Sequence, residues 1–146
     1  MNGDVLHKAP LGATGVPFSY IGIGGSYGPH IGLSHLAVAG GYAVYANHGS
    51  PGSIAFMRLG DPIPAKGTIV ADTSEPRGFA LVDGFAYFTS NPGVVGSVRR
   101  VGIPSGTVTT IVDGLVYPRS IALDAKWIYI AQASASVGSI AKVARP

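Results

Sequence analysis

The sequence predicts an all-β chain assembled from a repeated four-stranded unit, and three observations carry that fold class. The first is a repeat of 42 residues: Pro76-Arg77-Gly78-Phe79-Ala80-Leu81 returns as Pro118-Arg119-Ser120-Ile121-Ala122-Leu123. At the same offset Tyr87 returns as Tyr129, Ile69 as Ile111, and Gly96-Ser97-Val98 as Gly138-Ser139-Ile140. The second is composition. With 22 Gly, 11 Pro and only 12% charged residues, the chain suits short strands and turns better than long solvated helices. Its 47% hydrophobic content argues against disorder. The third is that the apolar runs are short, rich in β-branched and aromatic residues, and bounded by turn formers. A period near 42 built this way is the pattern of β-propeller blades.

The elements follow in order. Gly3-Asp4-Val5-Leu6-His7 reads as a third strand of a blade and Phe18–Ile23 as a fourth, so residues 1–32 supply closing strands. The first full unit, 33–75, has strands at Leu36-Ala37-Val38, Ala43–Ala46, Gly52–Met57 and Gly67–Ala71. The second, 76–117, is the clearest. Gly78–Val82 is followed by an Asp83-Gly84 turn, Phe85–Thr89, a loop at Ser90–Val95, Gly96–Val101, a turn at Pro104-Ser105-Gly106, and Thr107–Val112. The last, 118–146, stops after Gly138–Val143 and has no fourth strand. Naming the strands of a blade A to D, the order is CD-ABCD-ABCD-ABC, in a single propeller unit spanning 1–146.

That order implies an assembly. Open strand edges invite pairing with another chain, and about three blades do not close a ring. A six-bladed ring of two chains related by a two-fold axis is the expectation, each N-terminal fourth strand completing the partner's last blade. The competing expectation is a fragment of a longer propeller without independent activity. The two C-like strands at the chain's ends compete for one slot in the composite blade, and the sequence leaves that open.

The repeated pattern Pro-x-[Gly/Ser]-[Phe/Ile]-Ala-Leu, an apolar-Tyr pair, then Gly-Ser-[Ile/Val]-x-[Arg/Lys]-Val resembles the NHL-type and YWTD-type propeller repeats. Its carriers are Pro76, Ala80, Leu81, Tyr87, Gly96, Ser97, Arg100 and Val101, then Pro118, Ala122, Leu123, Tyr129, Gly138, Ser139, Lys142 and Val143. The acidic residue and the Asn-x-Arg of the NHL pattern are absent, and the Trp and Asp around the YWTD tyrosine are replaced. The resemblance implies architecture alone, because similar propellers include lyases, lactonases and pure binding modules.

Antiparallel geometry places a candidate site. The D-to-A and B-to-C loops share one face. The former carry Pro29-His30, Pro76-Arg77 and Pro118-Arg119, and the latter carry Asn47-His48-Gly49, Ser90-Asn91 and Gln132. His30, Arg77, Arg119, His48, Asn91 and Gln132 are therefore the candidate ligand-binding residues of a channel face. Guanidinium groups around a channel suit a carboxylate or phosphate, since arginine donates in a planar fork. The structural alternative is that each arginine pairs with a nearby carboxylate such as Glu75, Asp83 or Asp124.

Other chemistry finds little support. The net charge of +3 is scattered apart from Arg99-Arg100, so no nucleic-acid footprint is expected. There is no cysteine, hence no disulfide or thiol chemistry. No apolar stretch approaches the length of a membrane span, and Met1–Val5 lacks the start of a signal peptide, which leaves the compartment open. His7, His30, His35 and His48 show no metal-ligand spacing, and Glu75 is the sole glutamate. Asp83 and Asp124 follow the first strands, while Asp72 and Asp113 are expected to end fourth strands. No metal or cofactor is expected. Gly24-Gly25-Ser26-Tyr27-Gly28 matches a nucleophile elbow by pattern, and Gly22-Ile23-Gly24 begins like a dinucleotide fingerprint, but no helical pattern follows either.

Tyr45, Tyr87 and Tyr129 recur in second strands and read as blade-to-blade packing at equal positions. The functional expectation is a non-catalytic binding or interaction propeller holding a small anionic ligand or a partner's loop. The alternative is a lyase or hydrolase with His30 or His48 as general base, although no acidic residue stands beside either to orient it.

Overall fold

Asp83-Gly84 and Gly40-Gly41 each turn the chain within two residues. Their φ angles are 51° and 75°, and 58° and 80°. Two successive positive values define a type I′ turn, whose twist matches that of the strands it joins. Asp and Gly are the residues that tolerate this backbone. The computed structural model of the chain describes residues 5–8, 19–22, 32–48, 52–59, 66–72, 75–133 and 137–146, with side chains described for 35–47, 52–59, 75–133 and 137–146.

The described residues form strands and turns without a helix, so none is long and apolar enough to cross a membrane. β1 (Val5–Lys8) and β2 (Ser19–Gly22) pair with each other. The first sheet is β3 (Gly32–Ala39), β4 (Tyr42–His48), β5 (Gly52–Arg58) and β6 (Lys66–Asp72). The second is β7 (Pro76–Val82), β8 (Phe85–Ser90), β9 (Val95–Gly102) and β10 (Val108–Val116). The third has three strands, β11 (Pro118–Leu123), β12 (Trp127–Ala133) and β13 (Gly138–Ala144). Each sheet is an antiparallel meander in chain order. The chain is therefore all-β, and each strand read from the sequence overlaps one of these.

β10 departs from expectation. It runs on to Val116, with register shifts on either side of Val112. Gly114 has φ 75°, and the Asp113 carboxylate accepts the Gly114 N–H at 2.8 Å. Asp113 thus sits within a bulged strand, where the sequence reading placed it at the strand's end. A bulge absorbs extra residues by bending the strand rather than ending it.

The sheets stack by a repeated step. β7 packs on β3, β4 and β5, and β11 packs on β7, β8 and β9. β8, in the middle, is buried on both faces because alternate side chains point to opposite sides. Ala86 and Phe88 join Val44, Ala46, Ile54 and Val101 in one core, against the first sheet. Tyr87, with Phe85 beside it, joins Val98, Leu115, Ile121, Ile128 and Ile130 in the other, against the third. Phe88, Ile54, Ile128 and Val98 are completely buried. At about 25 cal/mol per Å² of apolar area, each such side chain contributes roughly 1.5–3 kcal/mol.

Register corrects one equivalence. Ala39 pairs with Tyr42, and Val82 pairs with Phe85. Counting from these hairpins, Val44 takes the position of Tyr87, and Tyr45 takes that of Phe88. The spacing between the first two units is 43 here (Gly84 against Gly41), not 42. A one-residue slip moves a side chain to the other face, so Tyr45 packs on the opposite side from Tyr87 and Tyr129.

Candidate ligand site at the strand ends

Proline opens the inner strands of the second and third sheets. Pro76 and Pro118 are both buried at first positions, where a missing N–H is tolerated. Pro76 pairs with Ser90, and Pro118 with Gln132, which brings the starts of β7 and β11 beside the ends of β8 and β12. Directly after each proline the register shifts, between Pro76 and Phe79 and between Pro118 and Ser120. Arg77 and Arg119 stand on these two bulges, inside the strands rather than in the loops where the sequence reading put them. Bulges re-aim side chains at sheet rims.

The two arginines differ in company. Arg77 donates to the Glu75 carboxylate at 2.6 Å, the pairing that the structural alternative foresaw. Its Nε is buried without a hydrogen-bond partner. Arg119 is exposed and lies over the Tyr117 ring, 5.9 Å from the centroid. No carboxylate among the described residues pairs with it. Tyr117 itself has φ 43°, a left-handed backbone fixed by two main-chain bonds. Its N–H donates to the Val94 carbonyl at 2.9 Å, and its carbonyl accepts from Ala133 at 3.2 Å.

Asn91 is buried directly beyond β8, and its side-chain carbonyl has no hydrogen-bond partner. A buried acceptor left unsatisfied costs about 1–3 kcal/mol, which a bound donor would relieve. Gln132 is occupied otherwise. Its side-chain oxygen accepts the Val116 N–H at 2.9 Å, which fastens the end of β10 to β12. His48 ends β4 opposite Gly32, with its side chain outside the described residues. His30 and the Gly24–Gly28 motif lie wholly outside them. In the first sheet the register position of Arg77 falls to Ser34, four residues beyond His30, and a register shift occurs there too, between Leu33 and His35. Arg77, Asn91, Arg119 and Gln132 thus stand at the same end of their strands.

No protein-family model matches the chain, and a search of curated proteins returns no match.

At the opposite end of the strands, Asp83 and Asp124 take partners other than these arginines. Asp124 is exposed in the β11–β12 turn and accepts from the N–H groups of Lys126 and Trp127, both at 2.7 Å, and from the Tyr129 hydroxyl at 2.9 Å. These bonds, the Lys126 N–H foremost, hold its carboxyl below the usual aspartate range. The same carboxylate pushes the Tyr129 phenol up. Arg145 pairs with Asp83 and also donates to the Asp124 carbonyl at 3.2 Å. Sequence reasoning missed this link because the partners are far apart in the chain. Tyr117 was missed as well, since nothing in a Val-Tyr-Pro triplet announces a left-handed tyrosine.

Proposed function

We propose that the chain is a non-catalytic β-propeller binding module, half of a six-bladed ring completed by a second copy, that holds a small anion where β7 and β11 begin. The observation that carries the binding reading is the pair of bulged arginines at the starts of two successive inner strands. In a propeller those starts line one mouth of the central channel, so ring closure would repeat the pair. Arg119, without a carboxylate of its own, offers its planar fork to a carboxylate or phosphate. Arg77 supplies a second guanidinium once Glu75 yields, and the Asn91 carbonyl accepts a hydroxyl or a bound water. The repeated packing step of β7 and β11 supports the ring reading, as does the resemblance to NHL-type repeats.

The test is calorimetric titration with inorganic phosphate and with citrate, in low salt. Saturable binding that Arg119→Ala weakens about tenfold supports the site. Binding unchanged by Arg119→Ala and by Arg77→Ala sinks it.

A further inference from the structure

Three pairs of positions are related by register. Ile54 on β5 stands opposite Ala46, Val98 on β9 opposite Thr89, and Ile140 on β13 opposite Ala131. Each lies at the same place in its sheet. Leu36, Phe79 and Ile121 are likewise equivalent, paired with Tyr45, Phe88 and Ile130. Within the chain these two sets meet. Ile54 and Phe79 share the first core, and Val98 and Ile121 share the second.

The third meeting is missing its partner. Ile140 is 78% exposed, although its equivalents Ile54 and Val98 are fully buried. Leu36 is 52% exposed and Val38 61% exposed at the other end of the stack. Val38 is the equivalent of Leu81, which packs on the first core. The remainder of that face, Ala43, Tyr45, Ala55 and Met57, is already covered, so its open part is confined to the inner strand β3. On the second and third sheets the face that meets the next unit carries an equivalent cation: Arg100 lies 4.7 Å from the Phe85 ring centroid, and Lys142 lies 4.4 Å from that of Trp127. In the second sheet Arg100 reaches onward to the Pro146 carbonyl, 3.3 Å away in the next unit.

We infer that the open face of the third sheet receives β3 of a second copy of this chain, seating Leu36 on Ile140. The interface continues one the chain makes twice: β7 on the first sheet, β11 on the second, β3 of the partner on the third. Both halves are carried by the same sequence, which selects a second copy over an unrelated partner. The inference rests on the two-chain ring and specifies how its sheets meet, by face rather than by strand exchange at edges. Heterologous contacts of this kind close on themselves only if the rotation per unit allows it.

The experiment is light scattering behind size exclusion, on the wild type and on Leu36→Glu and Ile140→Glu. The expected masses are twice the 14.8 kDa chain for the wild type and one chain for each variant. Because the chain has no cysteine, Leu36→Cys/Ile140→Cys adds a second readout that does not depend on a disruptive charge. It is expected to give a covalent dimer on a non-reducing gel. A wild-type mass of one chain overturns both the ring and the face. A wild-type dimer that neither glutamate disturbs, and whose double cysteine variant stays uncrosslinked, keeps the assembly and overturns the face. Masses above two chains, lost in both glutamate variants, keep the face and overturn the closed two-chain ring.

Discussion

A methyl group on Gly78 would lie 2.8 Å from the Cα of Ser120 and equally close to the Ile121 nitrogen. The inner strands of the second and third sheets therefore touch backbone to backbone at this point. A side chain there has to part them. Gly78→Ala is expected to cost about 1–3 kcal/mol, as overpacking of a tight contact does. Gly93→Ala, with open space around it, is the control and is expected to stay within about 0.5 kcal/mol. Urea midpoints at constant m-value check both.

Thr89 supports the same contact from beneath. Its buried hydroxyl accepts the Gly78 N–H at 2.6 Å, where the β7 bulge breaks the ladder. Thr89→Val preserves the shape and removes the acceptor, leaving a buried N–H unpaired. A loss of about 1–3 kcal/mol is expected. Thr89→Ser is expected to recover most of it in the same denaturation assay.

Phe88 tests the core between the first two sheets. It is completely buried there, and truncation to alanine is expected to cost about 3–5 kcal/mol. Tyr87→Phe, on the other face of the same strand, is expected to be far milder. Calorimetric melting temperatures separate the two.

Asp124 makes the β11–β12 turn sensitive to acid. Folding lowers its pKa, so its contribution is fully present above the ordinary aspartate value of about 3.9. That contribution is lost as pH falls through the lower folded value. Asp124→Asn is expected to melt earlier than wild type at neutral pH, with the gap narrowing as pH drops below about 4. A gap that stays constant down to pH values of about 2 refutes the assignment.

Glu75 restrains Arg77 by its 2.6 Å ion pair. Glu75→Gln frees that guanidinium and is expected to tighten phosphate binding. Arg119→Ala is expected to weaken it about tenfold, equivalent to ~1.4 kcal/mol. Titrations at two salt concentrations check the pair, with the difference shrinking in high salt.

Much of the sheet layout was legible because it is written locally. Asp83-Gly84 and Gly40-Gly41 carry their turn type in their residue chemistry, and the apolar run Phe85-Ala86-Tyr87-Phe88 between turn formers marks a strand. The repeat then extended one well-read unit to the rest. What escaped depended on register or on distant partners. One extra residue between the first two units put Tyr45 on the wrong face, and sequence spacing alone does not reveal where the extra residue falls. The bulges under Arg77 and Arg119 arise from how β7 and β11 fit their neighbours. Of the candidate residues, Arg77, Asn91, Arg119 and Gln132 stand at the same end of their strands by register, yet Gln132 is spent on Val116. No local signal distinguishes an idle glutamine from an occupied one.

The two-sided burial of β8 constrains how such a chain can change over time. Phe88 answers to the first sheet and Tyr87 to the third, so adjacent codons evolve under different neighbours. Inserting a single residue inside the strand would exchange the two allegiances at once, and both cores would lose their fit together. Copying or deleting a whole unit disturbs neither, because every face keeps its counterpart. Chains built this way are expected to grow in multiples of one unit while drifting residue by residue within each face.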